Sequence, residues 1–317
     1  MKTQHSPFMI LLRALLTLIL LALPCMAAAQ EDWPNTEVVV HGKARPGPAL
    51  WRVQKGDAQV VILGTLPVFP KTQTWNTHRV DNAMRGARLL ITPATSHFGA
   101  TDVLGLMMNK GLPGGRSLKQ TVPPALYARY QASARRAGVA TQDFEHDKPV
   151  WAAARLRREV LERQGLSEDE LENAVTRSAH RAGVPIKAAG RYKMGGIMKD
   201  VSAMTEQASE ACMGYTLDDI DFDLDRAKIA GAAWAIGDIP TVRANYQGSA
   251  LQKCLDGSGK GTALMQRSVD DTVAAVVAAM NTPGKVVAVV SLAVLLRKGG
   301  ALERLRAQGY TVSSPAD

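Results

Sequence analysis

The run Val-Val-Ala-Val-Val at residues 286–290 constrains the fold more than any other stretch of the chain. It contains no polar residue and is mostly β-branched, which is the pattern of a strand that is buried on both faces. Such a strand needs neighbouring strands at its sides and helices above and below it. The run therefore predicts an inner strand of an α/β fold.

Other strand-like stretches lie towards both ends of the sequence. LWRVQ and QVVIL flank Lys55-Gly56-Asp57, which is the turn chemistry of a hairpin, and a short apolar run follows at residues 88–91. A last strand is predicted at residues 310–313. From about residue 100 to residue 281 the apolar spacing is helical, except at residues 184–188. We therefore predict an α/β (α+β) fold, with a mixed central sheet built from N- and C-terminal strands and a large helical middle region.

The first residues have the pattern of a secretory signal. Lys2 and Arg13 precede a short apolar run at residues 14–23, and the small residues Ala27-Ala28-Ala29 follow. A membrane span needs roughly 20 apolar residues, so cleavage after Ala29 is favoured over the alternative of an uncleaved anchor. We expect a periplasmic or secreted protein with no stable membrane span after cleavage.

The predicted organisation has three parts. Residues 1–29 are the signal peptide, residues 30–48 are a polar, flexible leader, and residues 49–314 are a single domain. Loss of the two basic residues of the signal lowers the formal net charge from +9 to +7. The tightest basic group is Arg155, Arg157 and Arg158, which we interpret as a solvated helix face, and nucleic acid is not an expected partner.

An acidic run, DDIDFDLD at residues 218–225, resembles a calcium-binding loop but lacks the glycine and the bidentate glutamate that such a loop requires. Separate helices are predicted over about residues 196–214 and 219–236. The acidic run would then lie at the start of the second helix, where carboxylates interact favourably with the positive end of the helix dipole.

Two cysteines, Cys212 and Cys254, remain after cleavage of the signal. In an oxidising compartment an even pair is more often bridged than free, so we predict a disulfide between them. No further metal ligands stand near either cysteine in the sequence.

The chain resembles the TraB/GumN family, which is related to the Tiki-type membrane metalloproteases. The resemblance rests on ALWRVQKGDAQVVILGTLPVFPK near the front, on AAWAIGD at residues 232–238, and on VVAVVSLAVLLRKGGALERLRAQGYTV at residues 286–312. Together these stretches place about residues 49–313 within the resemblance.

The resemblance implies a set of metal-binding positions that this chain does not fill. Catalytic members carry G-T-x-H after the first strand, and here Gly64 and Thr65 are followed by Pro67 at the histidine position. Thr92 stands where an acidic residue is expected at the end of the next strand. Catalytic members have a glycine-rich turn that contains a histidine after the late strand. In this chain Ala293 lies in the corresponding segment, and no histidine follows His180.

The residues favour two functions, and the family association alone suggests a third, a structural or assembly factor in surface-polymer export. In the first, the protein is a non-catalytic member of the family without a cofactor, which binds a peptide, a polysaccharide or a protein partner of the envelope. In the second, it is a metal-dependent hydrolase or peptidase that holds a divalent ion such as zinc or manganese with displaced residues, for which the candidates are His78, Asp81, His97 and Glu206.

Overall fold

The computed structural model describes residues 47–256 and 259–315. The predicted signal peptide and nearly all of the leader lie outside this part of the chain. The strands, in chain order, are β1 (Leu50–Lys55), β2 (Ala58–Thr65), β3 (Phe69–Pro70), β4 (Ala87–Thr92), β5 (Thr95–His97), β6 (Leu166–Ser167), β7 (Ile186–Ala188), β8 (Arg191–Lys193), β9 (Gly284–Ser291) and β10 (Thr311–Ser313).

Helices form most of the longer connections between these strands. In chain order they are α1 (His78–Met84), α2 (Ala100–Asn109), α3 (Leu118–Thr121), α4 (Pro124–Ala137), α5 (Pro149–Arg163), α6 (Glu170–Arg181), α7 (Gly195–Ser202), α8 (Glu206–Ala235), α9 (Ile239–Ala244), α10 (Ala250–Asp256), α11 (Lys260–Met280), α12 (Leu292–Leu296) and α13 (Ala301–Ala307). Short 3-10 turns occupy Pro113–Gly115 and Gln142–Phe144.

A six-stranded mixed sheet lies at the centre, in the order β10-β1-β2-β9-β4-β7. Strands β1 and β2 form the predicted hairpin, with Gly56 in the left-handed region at φ 55°. Strand β2 pairs in parallel with β9, from Ala58 opposite Gly284 to Thr65 opposite Ser291. Strand β9 pairs in parallel with β4 on its other side. The prediction of a mixed sheet that joins the two ends of the domain is confirmed.

The inner strand β9 has the burial that its sequence predicts. Its residues from Val286 to Val290 are all buried, each at 3% exposure or less. They form one core with the apolar residues of β2 and with those of α6, α11 and α12. The uninterrupted apolar run is thus explained by helices on both faces of the sheet.

The helical middle region has a separate core. Helix α8 is its central element, and α4 and α5 pack against it, as does the short helix α10. The side chains of Tyr130, Leu156, Met213 and Leu217 are fully buried between α4, α5 and α8. This region is therefore a packed helical layer attached to the sheet.

The predicted helix boundaries in this region are wrong. Instead of helices over about 196–214 and 219–236, the chain forms the short helix α7 and then the continuous 30-residue helix α8. Gly214 does not interrupt α8, because its neighbours Met213 and Leu217 are held in the helical core. Residues 218–225 consequently lie in the middle of α8, and the helix-dipole explanation for their charge is also wrong.

Among the helices of residues 47–256 and 259–315, none combines the length and the apolar character needed to cross a membrane.

Gly64, near the end of β2, is fixed by close packing. A Cβ atom at this position would lie 2.3 Å from Cδ2 of Leu292 and 3.0 Å from Cζ3 of Trp51. The indole nitrogen of Trp234 also donates a hydrogen bond to the Gly64 carbonyl, at 2.7 Å. Strands β1 and β2 and helices α8 and α12 thus meet at a point with no room for a side chain.

We expect Gly64→Ala to lower the free energy of unfolding by about 1–3 kcal/mol, because overpacking forces buried neighbours apart. The matched control is Gly214→Ala in α8, where an added Cβ meets no atom within 4 Å and helix propensity should raise stability by up to about 1 kcal/mol. Equilibrium urea unfolding of both variants measures the difference. Equal stability of Gly64→Ala and wild type would contradict the packing described here.

Candidate functional site

The positions implied by the family resemblance lie at the carboxyl edge of the sheet. Thr65 ends β2 opposite Ser291, and Thr92 ends β4 on the far side of β9. Carboxyl ends of parallel strands are the usual place for a site in such a sheet. Thr65, Thr92 and Ala293 are buried, whereas Pro67 is exposed.

Apolar packing fills this edge behind Pro67. The hydroxyl of Ser291 accepts a hydrogen bond from the Val294 backbone nitrogen at 3.3 Å and caps α12. All five residues of α12, from Leu292 to Leu296, are buried at 5% exposure or less. The segment that would carry the late histidine is therefore part of the hydrophobic core.

His78 and Asp81 both lie on α1. The carboxylate of Asp81 takes part in hydrogen bonds that hold the structure together. Asp81 accepts hydrogen bonds from the Ser178 hydroxyl at 2.5 Å and from the Thr77 hydroxyl at 2.7 Å. Burial acts to raise the pKa of Asp81, but these two hydrogen bonds, together with the nearby Arg181 and His78, outweigh it, and the pKa is lowered. The carboxylate thus joins α1 to α6.

The remaining candidates of the hydrolase alternative lie on other elements. His97 ends β5, is exposed and stands opposite Lys193 of β8. Glu206 begins α8 and forms an exposed ion pair with Arg116 at 3.2 Å. Across residues 47–256 and 259–315, no three histidine, cysteine, aspartate or glutamate side chains are grouped so that they could hold a metal ion. The structure does not bring the predicted candidates together.

A cavity of about 370 Å³ borders Pro67 on the side of the helical layer. We call it the Pro67 cavity. Its apolar wall comes from the segment after β2 and from α5, α7, α8 and α10, and its principal members are Leu66, Val68, Val150, Trp151, Met198, Phe222, Ala227, Ala230, Tyr246 and Leu251. A volume of this size is typical of small-molecule sites.

Four charged residues line the Pro67 cavity, and they come from distant parts of the chain. Arg157 of α5 donates hydrogen bonds to Oε1 of Glu168 at 2.5 Å and to Oδ2 of Asp223 at 3.1 Å. Asp219, one turn before Asp223 in α8, accepts hydrogen bonds from the Gln247 side chain at 2.6 Å and from the Ala250 backbone nitrogen at 2.7 Å. The cavity thus contains one guanidinium and three carboxyl groups.

Burial sets the ionisation of this group. It raises the pKa of Asp223 to about 7, with Arg157 acting to lower the pKa and Asp219 acting to raise it. Burial also raises the pKa of Asp219, although the hydrogen bonds from Ala250 and Gln247 oppose this effect. Desolvation disfavours a charged carboxylate more than the single arginine can compensate. Asp223 is therefore close to half-ionised at neutral pH.

The sequence interpretation missed these residues. Only Arg158 of the basic group is a well-solvated side chain, whereas Arg155 pairs with the buried carboxylate of Asp147 at 2.7 Å and Arg157 lines the cavity. A signal for the acidic pair was present, because Asp219 and Asp223 share one stripe of α8 with the buried residues Ala227 and Ala230. Carboxylates on an inward stripe need buried partners.

The predicted disulfide is not formed in the structure, where Cys212 and Cys254 are free thiols. They nevertheless lie in one apolar cluster, together with Val150, Val201 and Leu255. The pKa of Cys254 is raised, first by its hydrogen bond with Cys212 and then by burial. The thiols of α8 and α10 thus face each other across a noncovalent contact, and Cys254 lines the Pro67 cavity.

The fold and the cavity define an α/β protein with a helical layer beside the carboxyl edge of its sheet. The chain belongs to the TraB/PrgY/gumN family, whose model matches residues 49–314. No curated protein and no solved structure matches it.

The metal that the resemblance implies does not fit the residues at the corresponding positions. Pro67 and Ala293 have no donor atom in their side chains, and Thr92 offers one buried hydroxyl. Divalent zinc is usually held by three or four histidine, cysteine or carboxylate ligands. We therefore derive no metal chemistry for this edge of the sheet.

The raised pKa of Asp223 makes stability depend on pH. Between about pH 4 and pH 7 the native state holds a proton that the unfolded chain has released, so the free energy of unfolding falls as the pH rises. Asp223→Asn removes this group. We expect the wild type to lose about 2 kcal/mol more than this variant between about pH 5 and pH 7 in urea unfolding.

The control for this experiment is Asp225→Asn. Asp225 lies on the same helix, is 57% exposed and pairs with Arg136 outside the cavity, so its removal should leave the pH dependence of the wild type unchanged. Parallel stability curves for the wild type and Asp223→Asn would show that Asp223 is not desolvated in the native state.

Proposed function

We propose that this chain is an exported, non-catalytic protein of the TraB/PrgY/gumN family, and that it binds an envelope ligand in the Pro67 cavity. The observation that carries the proposal is the position of this cavity. It borders the residue that replaces the family histidine, but its polar groups belong to the helical layer. The proposed ligand is a peptide, a polysaccharide or a segment of a protein partner, part of which would occupy the cavity.

The absence of catalysis is proposed from the side chains present at the family positions. Metal-assisted hydrolysis needs an ion that lowers the pKa of a bound water and an open coordination position. Pro67 and Ala293 have no side-chain donor that could bind an ion, and Ala293 lies in α12, whose five residues are all buried aliphatic side chains. The chemistry that remains in the cavity is that of recognition, with charged groups set in an apolar wall.

Export is part of the proposal and rests on the amino-terminal pattern of basic residues, short apolar run and Ala27-Ala28-Ala29. Nucleic acid is not a proposed partner, since many of the arginines of the helical layer are paired with acidic residues. Arg129 pairs with Asp218 and Asp221, for example, at 2.6 and 3.1 Å.

A hydrolase that uses His78, Asp81, His97 or Glu206 remains the second candidate. It would need a rearrangement that brings residues of α1, β5 and α8 to one ion. The contacts of Asp81 with Ser178 and of Glu206 with Arg116 would have to break in that rearrangement. This requirement favours the first proposal.

The test is metal content and peptide hydrolysis of protein exported to the periplasm and purified without chelator. We expect its first residue to be Gln30, its zinc and manganese content to lie well below one ion per chain, and no cleavage of a mixed peptide library. Pro67→His should not change the result, because a single histidine supplies one ligand where about three are needed.

A wild-type chain that holds about one zinc or manganese ion and cleaves peptides would contradict the proposal. In that case His78→Ala or Glu206→Gln should abolish both properties. His180→Ala is the matched control, because His180 is an exposed histidine at the end of α6 that is not among the candidate residues.

A further inference from the structure

The charges of the Pro67 cavity do not balance. Among the residues that the structure describes, Arg157 is the only basic one that lines the cavity, and Glu168, Asp219 and Asp223 line it as well. The side chain of Arg157 is mostly buried, with 20% exposed. Nη1 and Nη2 donate to Glu168 and Asp223, and the buried Nε has no hydrogen-bond partner among the described residues. The excess charge of the wall is negative wherever these carboxyl groups are ionised.

The carboxylate of Asp223 has one oxygen in use and one open. Oδ2 accepts the hydrogen bond from Arg157 at 3.1 Å. Within residues 47–256 and 259–315, Oδ1 receives no hydrogen bond, and this oxygen keeps accessible surface although only 13% of the side chain is exposed. A ligand in the cavity that supplies a charged N–H group can therefore donate a charge-assisted hydrogen bond to Oδ1.

The rest of the wall suits an apolar body. Three aromatic residues, Trp151, Phe222 and Tyr246, line the cavity together with aliphatic side chains. Aromatic faces attract cations as well as apolar groups. The carboxyl groups do not form a cluster that could hold a metal ion within the part of the chain that the structure describes. The arrangement thus favours an organic cation over an inorganic one.

We propose that the Pro67 cavity binds an organic cation, an ammonium group carried on an apolar or aromatic body, through Oδ1 of Asp223. This inference rests on the proposed ligand-binding function and names the chemical class of the ligand. The amino terminus of a peptide, a lysine side chain and a small free amine all carry this group.

The proton competes with such a ligand for Asp223. The groups that face its carboxyl are Arg157 of α5, Asp219 of α8 and Glu168 beside β6. With a pKa of about 7, Asp223 is about tenfold more ionised at pH 8 than at pH 6, whereas an alkylammonium remains protonated at both. Binding of the cation should therefore strengthen about tenfold over this range.

The experiment compares three indole compounds of similar size by titration calorimetry on the full chain without its signal. They are tryptamine, which is a cation, tryptophol, which is neutral, and indole-3-propionate, which is an anion. We expect tryptamine to bind about tenfold more tightly than tryptophol, and indole-3-propionate to bind more weakly than either.

Asp223→Asn keeps the shape of the side chain and an acceptor for Arg157 but removes the charge. It should bring the affinity for tryptamine down to that for tryptophol. Asp225→Asn, an exposed position on the same helix, should leave both affinities unchanged. If Asp223→Asn does not fold, the pH dependence of tryptamine binding to the wild type decides, since an unchanged affinity between pH 6 and pH 8 overturns the inference.

Two results separate the inference from the proposed function. Equal affinities for the three compounds, or preference for the anion, would overturn the cation but leave ligand binding by the cavity intact. No binding by any of them would overturn both. Tryptophanyl-glycinamide with a free or an acetylated amino terminus identifies the source of the cation. Preference for the free peptide over tryptamine indicates a peptide amino terminus, and the reverse indicates a small amine.

Discussion

The parallel pairing of β2 with β9 is the contact on which the rest of the structure depends. It joins residues 58–65 to residues 284–291 along eight residues of each strand. The residues between these two strands, including the whole helical layer, form one long connection whose two ends are brought together by this pairing. The close approach of Gly64 to Leu292 and the hydrogen bond of Trp234 to Gly64 then fix α8 to the same point of the sheet. Pro67, which borders the cavity, lies three residues after that glycine in the sequence.

The charges of the helical layer show how a long polar stretch can be part of a packed region. Of the five acidic residues in 218–225, three lie towards solvent and pair with Arg129 or Arg136. The other two, Asp219 and Asp223, face the cavity. Removing one partner of a buried ion pair is strongly destabilising, so Arg157 and Asp223 depend on each other. We attribute the proposed cation selectivity of the cavity to the remaining imbalance of charge.

The sheet was predictable because each of its main strands has a local signature. The apolar run of β9 and the hairpin turn at Gly56 both specify structure without reference to the rest of the chain. The long helix α8 was not predictable from the sequence. Gly214 looks like the end of a helix unless the burial of Met213 and Leu217 is known. The cavity was not predictable either. Arg157 and Asp223 are far apart in sequence, and only the tertiary fold shows that both point inward. The family positions could be located from the sequence, but the burial of the late segment around Ala293 as helix α12 could not.

The central claim is that recognition in this chain has its groups in the helical layer and not at the family positions of the sheet edge. A crystal structure of the protein grown with both zinc and tryptamine, with anomalous data collected at the zinc edge, tests it most directly. We expect the ammonium of tryptamine within hydrogen-bonding distance of Oδ1 of Asp223, and no anomalous peak beside Pro67. A zinc ion at the sheet edge, bound by side chains near Pro67 and Thr92, would contradict it.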